Sequence, residues 1–330
     1  MPLVSLSNAA LEGGAGSSRP RLPAIDAARG LAVAAMVVYH FAWDLSELRF
    51  VATEVTAEPG WRLLARAIAA SFLLLSGIGL ALAHSGGIRW RAFLRRLATV
   101  AGAALLITAA TLFAFPQSYI FFGILHAIAV SSLLALPLTR APAWGPAVLA
   151  TLVAAAPLFL SGGVFDLPPL AFLGLASREP ITNDWVPLFP WAAFVFAGVG
   201  IGKTRLLQRV GSPQVDATSA GRVLCWAGRH SLVIYLLHQP ILFGALYGLL
   251  QLTGPNLAAV ATRVERSCPV SYVQAGIPED RARKTCSCTV DGMKEAGIWT
   301  DFLRERLSAE QGREVTAIAR ACLARNPGAD

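Results

Sequence analysis

Charge is what this chain of 330 residues has least of: Asp, Glu, Lys and Arg together make up 15% of it, against roughly 25% in an ordinary soluble domain. The deficit is concentrated in long apolar runs, in a chain that is 55% hydrophobic with a mean hydropathy of +0.55. A single water-soluble core is therefore excluded, and an all-α, polytopic helical membrane protein is expected. Chemical signatures are missing too. There is no H-E-x-x-H helix, no G-x-S-x-G elbow and no C-x-x-C pair, so no metal is expected and no hydrolase nucleophile stands out. Gly198-Val-Gly200-Ile-Gly202-Lys203-Thr204 falls one position short of a phosphate-binding loop and sits at the end of an apolar run. Its glycines are better suited to close helix packing. No inverted repeat and no matched pair of broken spans appears, which disfavours an alternating-access transporter.

What is present is a set of seven apolar runs, at about 27–45, 62–84, 93–115, 119–138, 144–161, 187–203 and 231–252, each near the roughly 20 residues a bilayer requires. The first is read as an uncleaved span, because His40 and Asp44 interrupt its end and no small-x-small site follows. Residues 1–20, rich in Gly, Ser and Ala, are expected to be disordered, with a transmembrane domain over 21–255 and a separate module over 263–330.

The surplus of 28 Lys and Arg over 20 Asp and Glu gives a net charge of +8. It is not gathered into a soluble patch, so nucleic acid is not an expected partner; membrane lipid is. With seven spans, Arg19, Arg21, Arg29, Arg89, Arg91, Arg95, Arg96, Arg140, Lys203, Arg205, Arg209, Arg222 and Arg229 fall on one side. The positive-inside bias then places the N-terminus in the cytoplasm of a bacterial inner membrane and the C-terminus outside. Cys268, Cys286, Cys288 and Cys322 all follow the last run. An even number in a short polar segment suits two disulfides, and a bond between Cys286 and Cys288 would be strained, so each of these joins Cys268 or Cys322. The rest of the module is expected to be helical, with one helix over about 297–324 carrying Phe302, Leu303 and Leu307 on a stripe.

Intramembrane ionisable residues are functional candidates because each costs roughly 2.5–3.5 kcal/mol at mid-bilayer. His40 and Asp44 are four apart on one helix face, where the carboxylate can orient the imidazole. His40 lies about 21 Å along the helix from Asp26, and His126 about 10 Å below the outer surface, so the two are expected at similar depth. His238, beside Gln239 and the kinking Pro240, is expected nearer the cytoplasmic end, lining a cavity or satisfying the kink. In Arg89-Trp90-Arg91-Ala-Phe-Leu-Arg95-Arg96, Arg91 and Arg95 share a face. With Arg21 and Arg29 they can hold phosphate groups of an anionic nucleotide.

Taken together, Arg21-x3-Ile25-Asp26-x2-Arg29-Gly30, Met36-Val-Val-Tyr39-His40-Phe-Ala-Trp43-Asp44-Leu45, Phe72-Leu-Leu-Leu-Ser76-Gly77, Phe122-Gly-Ile-Leu-His126 and Gly228-Arg229-His230-Ser231-Leu-Val-Ile-Tyr235-Leu-Leu-His238-Gln239-Pro240 resemble the membrane transacylases. More closely, they resemble the bacterial family related to the catalytic domain of heparan-α-glucosaminide N-acetyltransferase. The resemblance covers about 19–253 and leaves out the tail. It implies an acyltransferase that takes an acetyl group from cytosolic acetyl-CoA to an amino sugar or other saccharide across the membrane. His40 stands where the lysosomal relatives carry an asparagine, as base or acyl carrier. Asp44 would orient it, and His126 or His238 would assist. Homo-oligomerisation is left open, and a proton-coupled transporter or flippase is the alternative reading.

Overall fold

The protein is described from a computed structural model, which covers residues 22–142, 144–204, 215 and 217–325. Seven apolar helices match the seven runs: α1 (Pro23–Glu47), α2 (Pro59–His84), α3 (Trp90–Ala114), α4 (Ile124–Ala135), α5 (Gly145–Ala155), α6 (Leu188–Gly202) and, after the amphipathic α7 (Ser219–Arg229), α8 (Ser231–Thr253). Among the described residues there is no β-strand.

The expectation of seven full spans is not met by length. α1, α2, α3 and α8 are long and apolar enough to cross a membrane; α4, α5 and α6 are shorter. At 1.5 Å per residue the 12 residues of α4 reach about 18 Å, well short of a hydrocarbon core of roughly 30 Å. The missing length precedes it as extended chain. Val186 N–H donates to the Phe122 carbonyl (3.2 Å) and Asn183 N–H to that of Ser118 (2.9 Å), so two peptide segments satisfy each other where the helices have not yet begun.

Lipid offers no hydrophobic drive for helices to associate, so close backbone approach must do that work. α2 and α6 meet through reciprocal glycines: a Cβ on Gly77 would lie 2.0 Å from the Val195 carbonyl oxygen, and one on Gly198 would lie 2.2 Å from that of Leu74. The glycines that mimic a phosphate loop are thus packing surface. Gly228 and Gly30 do the same where α7 crosses α1, with Cβ positions 1.8 Å from Asp26 O and 2.0 Å from Leu224 O. The core around α2 and α6 is filled by Leu73, Leu80, Val195, Phe196 and Val199.

The tail forms α9 (Leu257–Gln274), α10 (Glu279–Glu295), α11 (Trp299–Leu303) and α12 (Ala309–Arg325). Disulfides Cys268–Cys286 and Cys288–Cys322 tie α9 to α10 and α10 to α12, in keeping with the sequence argument. The single helix expected over 297–324 is instead two. Ser308 and Gln311 form a reciprocal cap, Ser308 N–H to Oε1 at 2.8 Å and Gln311 N–H to Oγ at 3.2 Å, which starts α12 afresh. Phe302 and Leu303 therefore belong to α11 and Leu307 to the linker.

Candidate functional site

α7 packs on the first turns of α1, with Gly228 against the Asp26 backbone, and α8 follows it directly. Ile234 and Tyr235 pack beside Val33 and Met36. One turn further on, His238 comes level with His40, and their ring centroids lie 4.9 Å apart. His238 is the eighth residue of α8 and so lies nearer the start of that helix than its end, as expected; what the sequence did not show is that this level is also that of His40. The partner expected for His40 at this depth, His126, turns toward α3 instead. It accepts from the Gly123 N–H through Nδ1 (3.2 Å), and its Nε2 faces the Thr108 hydroxyl (3.3 Å), which itself donates to the Ile120 carbonyl (2.7 Å). Both ring nitrogens of His126 are spent on holding the start of α4.

The His40/His238 pair is the opposite case. His238 Nδ1 lies 2.8 Å from the Tyr235 carbonyl oxygen, which can only accept, so Nδ1 carries the hydrogen and Nε2 presents its lone pair. That Nε2 is buried without a partner, as is Nδ1 of His40. Asp44, placed by sequence as the orienter of His40, is fully buried and accepts from Gln239 Nε2 at 2.6 Å. Its other oxygen, Oδ2, and Gln239 Oε1 are buried and unpaired. Four orphaned polar atoms thus converge where α1 meets α8, each costing of the order of 1–3 kcal/mol. Such a cluster is expected where a reacting group is to be received.

A cavity of about 710 Å³ leads toward this pair from the other end of α1. Arg29, Arg95, Arg96 and Arg229 line it, with Ser76, and Tyr235 stands at its inner end. The Tyr235 ring is 5.9 Å from that of His238. Arg29 pairs with Asp26 at 3.6 Å, and Arg96 Nη2 reaches Ser76 Oγ at 3.4 Å. Gly79 leaves room for both: a Cβ there would lie 2.8 Å from Arg29 Nη2. Of the arginines singled out by sequence, Arg29 and Arg95 are in the wall, Arg91 is not, and Arg21 lies outside the described residues.

Sequence reasoning missed Arg96, Arg229 and Tyr235. Arg96 had a readable signal, because it shares the inward stripe of α3 with Phe93, Leu97, Val100 and Ala104. It also missed Asp184, whose Oδ2 accepts from the Ile124 N–H at 3.1 Å and so caps α4 from 60 residues away. Burial pushes this carboxyl up to about 6, against the opposing pull of that N–H. Among the described residues no group of three or more metal-ligating side chains converges.

No curated protein and no solved structure gives a significant match to the chain. The family model described as heparan-alpha-glucosaminide N-acetyltransferase, catalytic, matches residues 21–240, a stretch that holds the arginine-lined cavity, the paired imidazoles and Asp44. Covering two thirds of the sequence, that match makes this chain a member of the family of heparan-alpha-glucosaminide N-acetyltransferase catalytic domains.

Proposed function

We propose that the protein is a membrane acyltransferase that moves an acetyl group from acyl-CoA on the cytoplasmic side to a saccharide or other polar acceptor on the far side. The observation that carries this reading is the nearness of two features: a cavity walled by guanidinium groups, and an unpartnered imidazole pair outside its lining but next to it, the His238 ring lying 5.9 Å from that of the wall residue Tyr235. Arg29, Arg95, Arg96 and Arg229 supply bidentate donors for the phosphates of the CoA nucleotide. The acceptor's nitrogen or oxygen attacks the thioester carbonyl carbon, the C–S bond breaks, and CoA leaves as its thiolate. The acceptor proton passes to the imidazole pair, where Nε2 of His238 has the free lone pair, and from there to the thiolate. Asp44, held by Gln239, offers its second oxygen to the imidazolium formed in that step.

Orientation follows the arginine bias of the sequence, with the cavity mouth facing the cytoplasm of a bacterial inner membrane and the disulfide-bonded tail outside. A transporter reading has no comparable support.

Calorimetric titration of acetyl-CoA into the detergent-purified protein tests the proposal. Arg95→Ala/Arg229→Ala is expected to weaken binding at least tenfold, since each lost charge-assisted contact costs roughly 1.5–3 kcal/mol. Arg91→Ala, outside the cavity wall, and His40→Ala are expected to bind as the wild type does. Absence of saturable binding by a folded wild-type protein at millimolar acetyl-CoA sinks the reading.

A further inference from the structure

α1 and α11 end in the same way. At the end of α1, Phe50 N–H donates to Leu45 O (2.9 Å) and Arg49 N–H to Ser46 O (3.1 Å), with Arg49 at φ +61°. At the end of α11, Arg306 N–H donates to Asp301 O (3.0 Å) and Glu305 N–H to Phe302 O (3.1 Å), with Glu305 at φ +55°. Each is a helix stop built on one left-handed residue, a place that glycine fills at no steric cost. The tail follows that rule elsewhere: α9 and α10 end on Gly276 and Gly297, at φ +88° and +71°. Arg49 and Glu305 are the two non-glycine residues with positive φ among the described residues, and they form an ion pair with each other at 2.5 Å.

A left-handed L-residue costs roughly 1–2 kcal/mol, and an exposed ion pair returns about 0–1 kcal/mol. Stability alone therefore favours glycine at both positions. The side chains must serve something else, and the neighbouring bonds show what. Arg263 of α9 donates to the same Ser46 carbonyl at 2.7 Å and to Ser46 Oγ at 3.2 Å, while its Nε lies 3.4 Å from Glu54. α1 has no basic residue of its own in its last turn. The tail thus supplies the cation that faces the end of this helix dipole. Asp44 stands two residues before Ser46, and His40 one turn further back.

We propose that the C-terminal module, which lies outside the family-matched segment, is a working part of the reaction centre. Arg49, Glu305 and Arg263 are positioning residues that fix the last turn of α1 and so the placement of Asp44 and His40. This rests on the acyltransferase reading for its kinetic test, though not for its structural one.

The test uses full-length protein carrying Arg49→Gly, Glu305→Gly or the charge reversal Arg49→Glu/Glu305→Arg, with Arg263→Lys as a conservative variant and Arg266→Ala, which lines a different cleft between α9 and α10, as control. The glycine variants relieve backbone strain and are expected to melt within about 2 °C of the wild type or above it. Their kcat for acetyl transfer is expected to fall about tenfold or more with KM for acetyl-CoA unchanged, since small displacements of reacting groups carry penalties of that order. The charge reversal is expected to restore most of the rate, and Arg263→Lys to retain part of it. A kcat unmoved by Arg49→Gly, or a loss that tracks melting temperature and is not restored by reversal, overturns the proposal. The ring nitrogen NMR signals of His40 and His238 give a reading independent of turnover. They are expected to shift in Arg49→Gly while those of His126 stay fixed. Unmoved signals refute the clamp even if the enzyme proves inactive on acetyl-CoA, and shifted signals in an inactive wild type leave the clamp standing while the acyltransferase reading fails.

Discussion

Between α2 and α6 the chain touches backbone to backbone at Gly77 and Gly198, whereas α9, α10 and α12 are tied by two covalent bonds around a core as small as Val290, Met293 and Ile298. The first contact suits a solvent that is itself apolar, where only fit distinguishes helix from lipid. The second suits water and a segment too short to bury a sufficient core. Each region should therefore tolerate what destroys the other.

Removal of both disulfides, as Cys268→Ser/Cys322→Ser, is expected to have the largest effect. Loss of a native disulfide from a small domain costs about 2–5 kcal/mol, so the module should become protease-sensitive while the membrane helices keep their helicity. Circular dichroism beside limited proteolysis reads both; a protease-resistant module means the core suffices without staples. On intact cells, an impermeant reductant followed by an impermeant maleimide is expected to label the tail, and labelling only after lysis reverses the orientation.

Gly198→Val comes next. It should leave the module intact but destabilise the membrane domain in detergent by the roughly 1–3 kcal/mol that overpacking costs, read as a lower melting temperature. An unchanged melting temperature would mean that α2 and α6 part easily and that glycine is not what joins them.

The smallest effect concerns Asp184. Its carboxyl sits at about 6 in the folded state against an ordinary 3.8, so the folded protein binds this proton more tightly than the unfolded chain. The stability it contributes is full below about pH 4 and is lost as pH rises through about 6. Asp184→Asn should therefore gain relative to the wild type between pH 4 and 7, by something near 1 kcal/mol once its partial exposure is allowed for. Melting curves that run parallel across that range would place the carboxyl in an ordinary environment.

Features set by neighbours in sequence were legible in advance. The apolar runs located the seven apolar helices though not which of them are long enough to cross a membrane, the strain of a Cys286–Cys288 bond narrowed the disulfide frame, and the spacing of Gly198 to Lys203 separated packing from phosphate binding. The break before α12 was also readable, as Ser308-x-x-Gln311, and was passed over for the apolar residues around it. Features set by distant segments were not legible. His238 meets His40 across nearly 200 residues of sequence, through the packing of α8 on α1, and Asp184 caps α4 across 60; no local pattern encodes either. Arg96 lies between these cases, visible on the inward stripe of α3 but outweighed by the more obvious pairing of Arg91 with Arg95.

The first two turns of α8 also set a length. From Ser231, which lines the arginine-rich mouth, to His238 is seven residues, or about 10 Å of helix rise. On the acyltransferase reading, a donor must carry its charge at one end and its acyl group roughly that far away on a slender arm. Acetyl phosphate, whose charge adjoins its acyl carbon, cannot meet both ends at once. The cavity would then act as a ruler, sorting donors by the distance between charge and thioester before any chemistry begins.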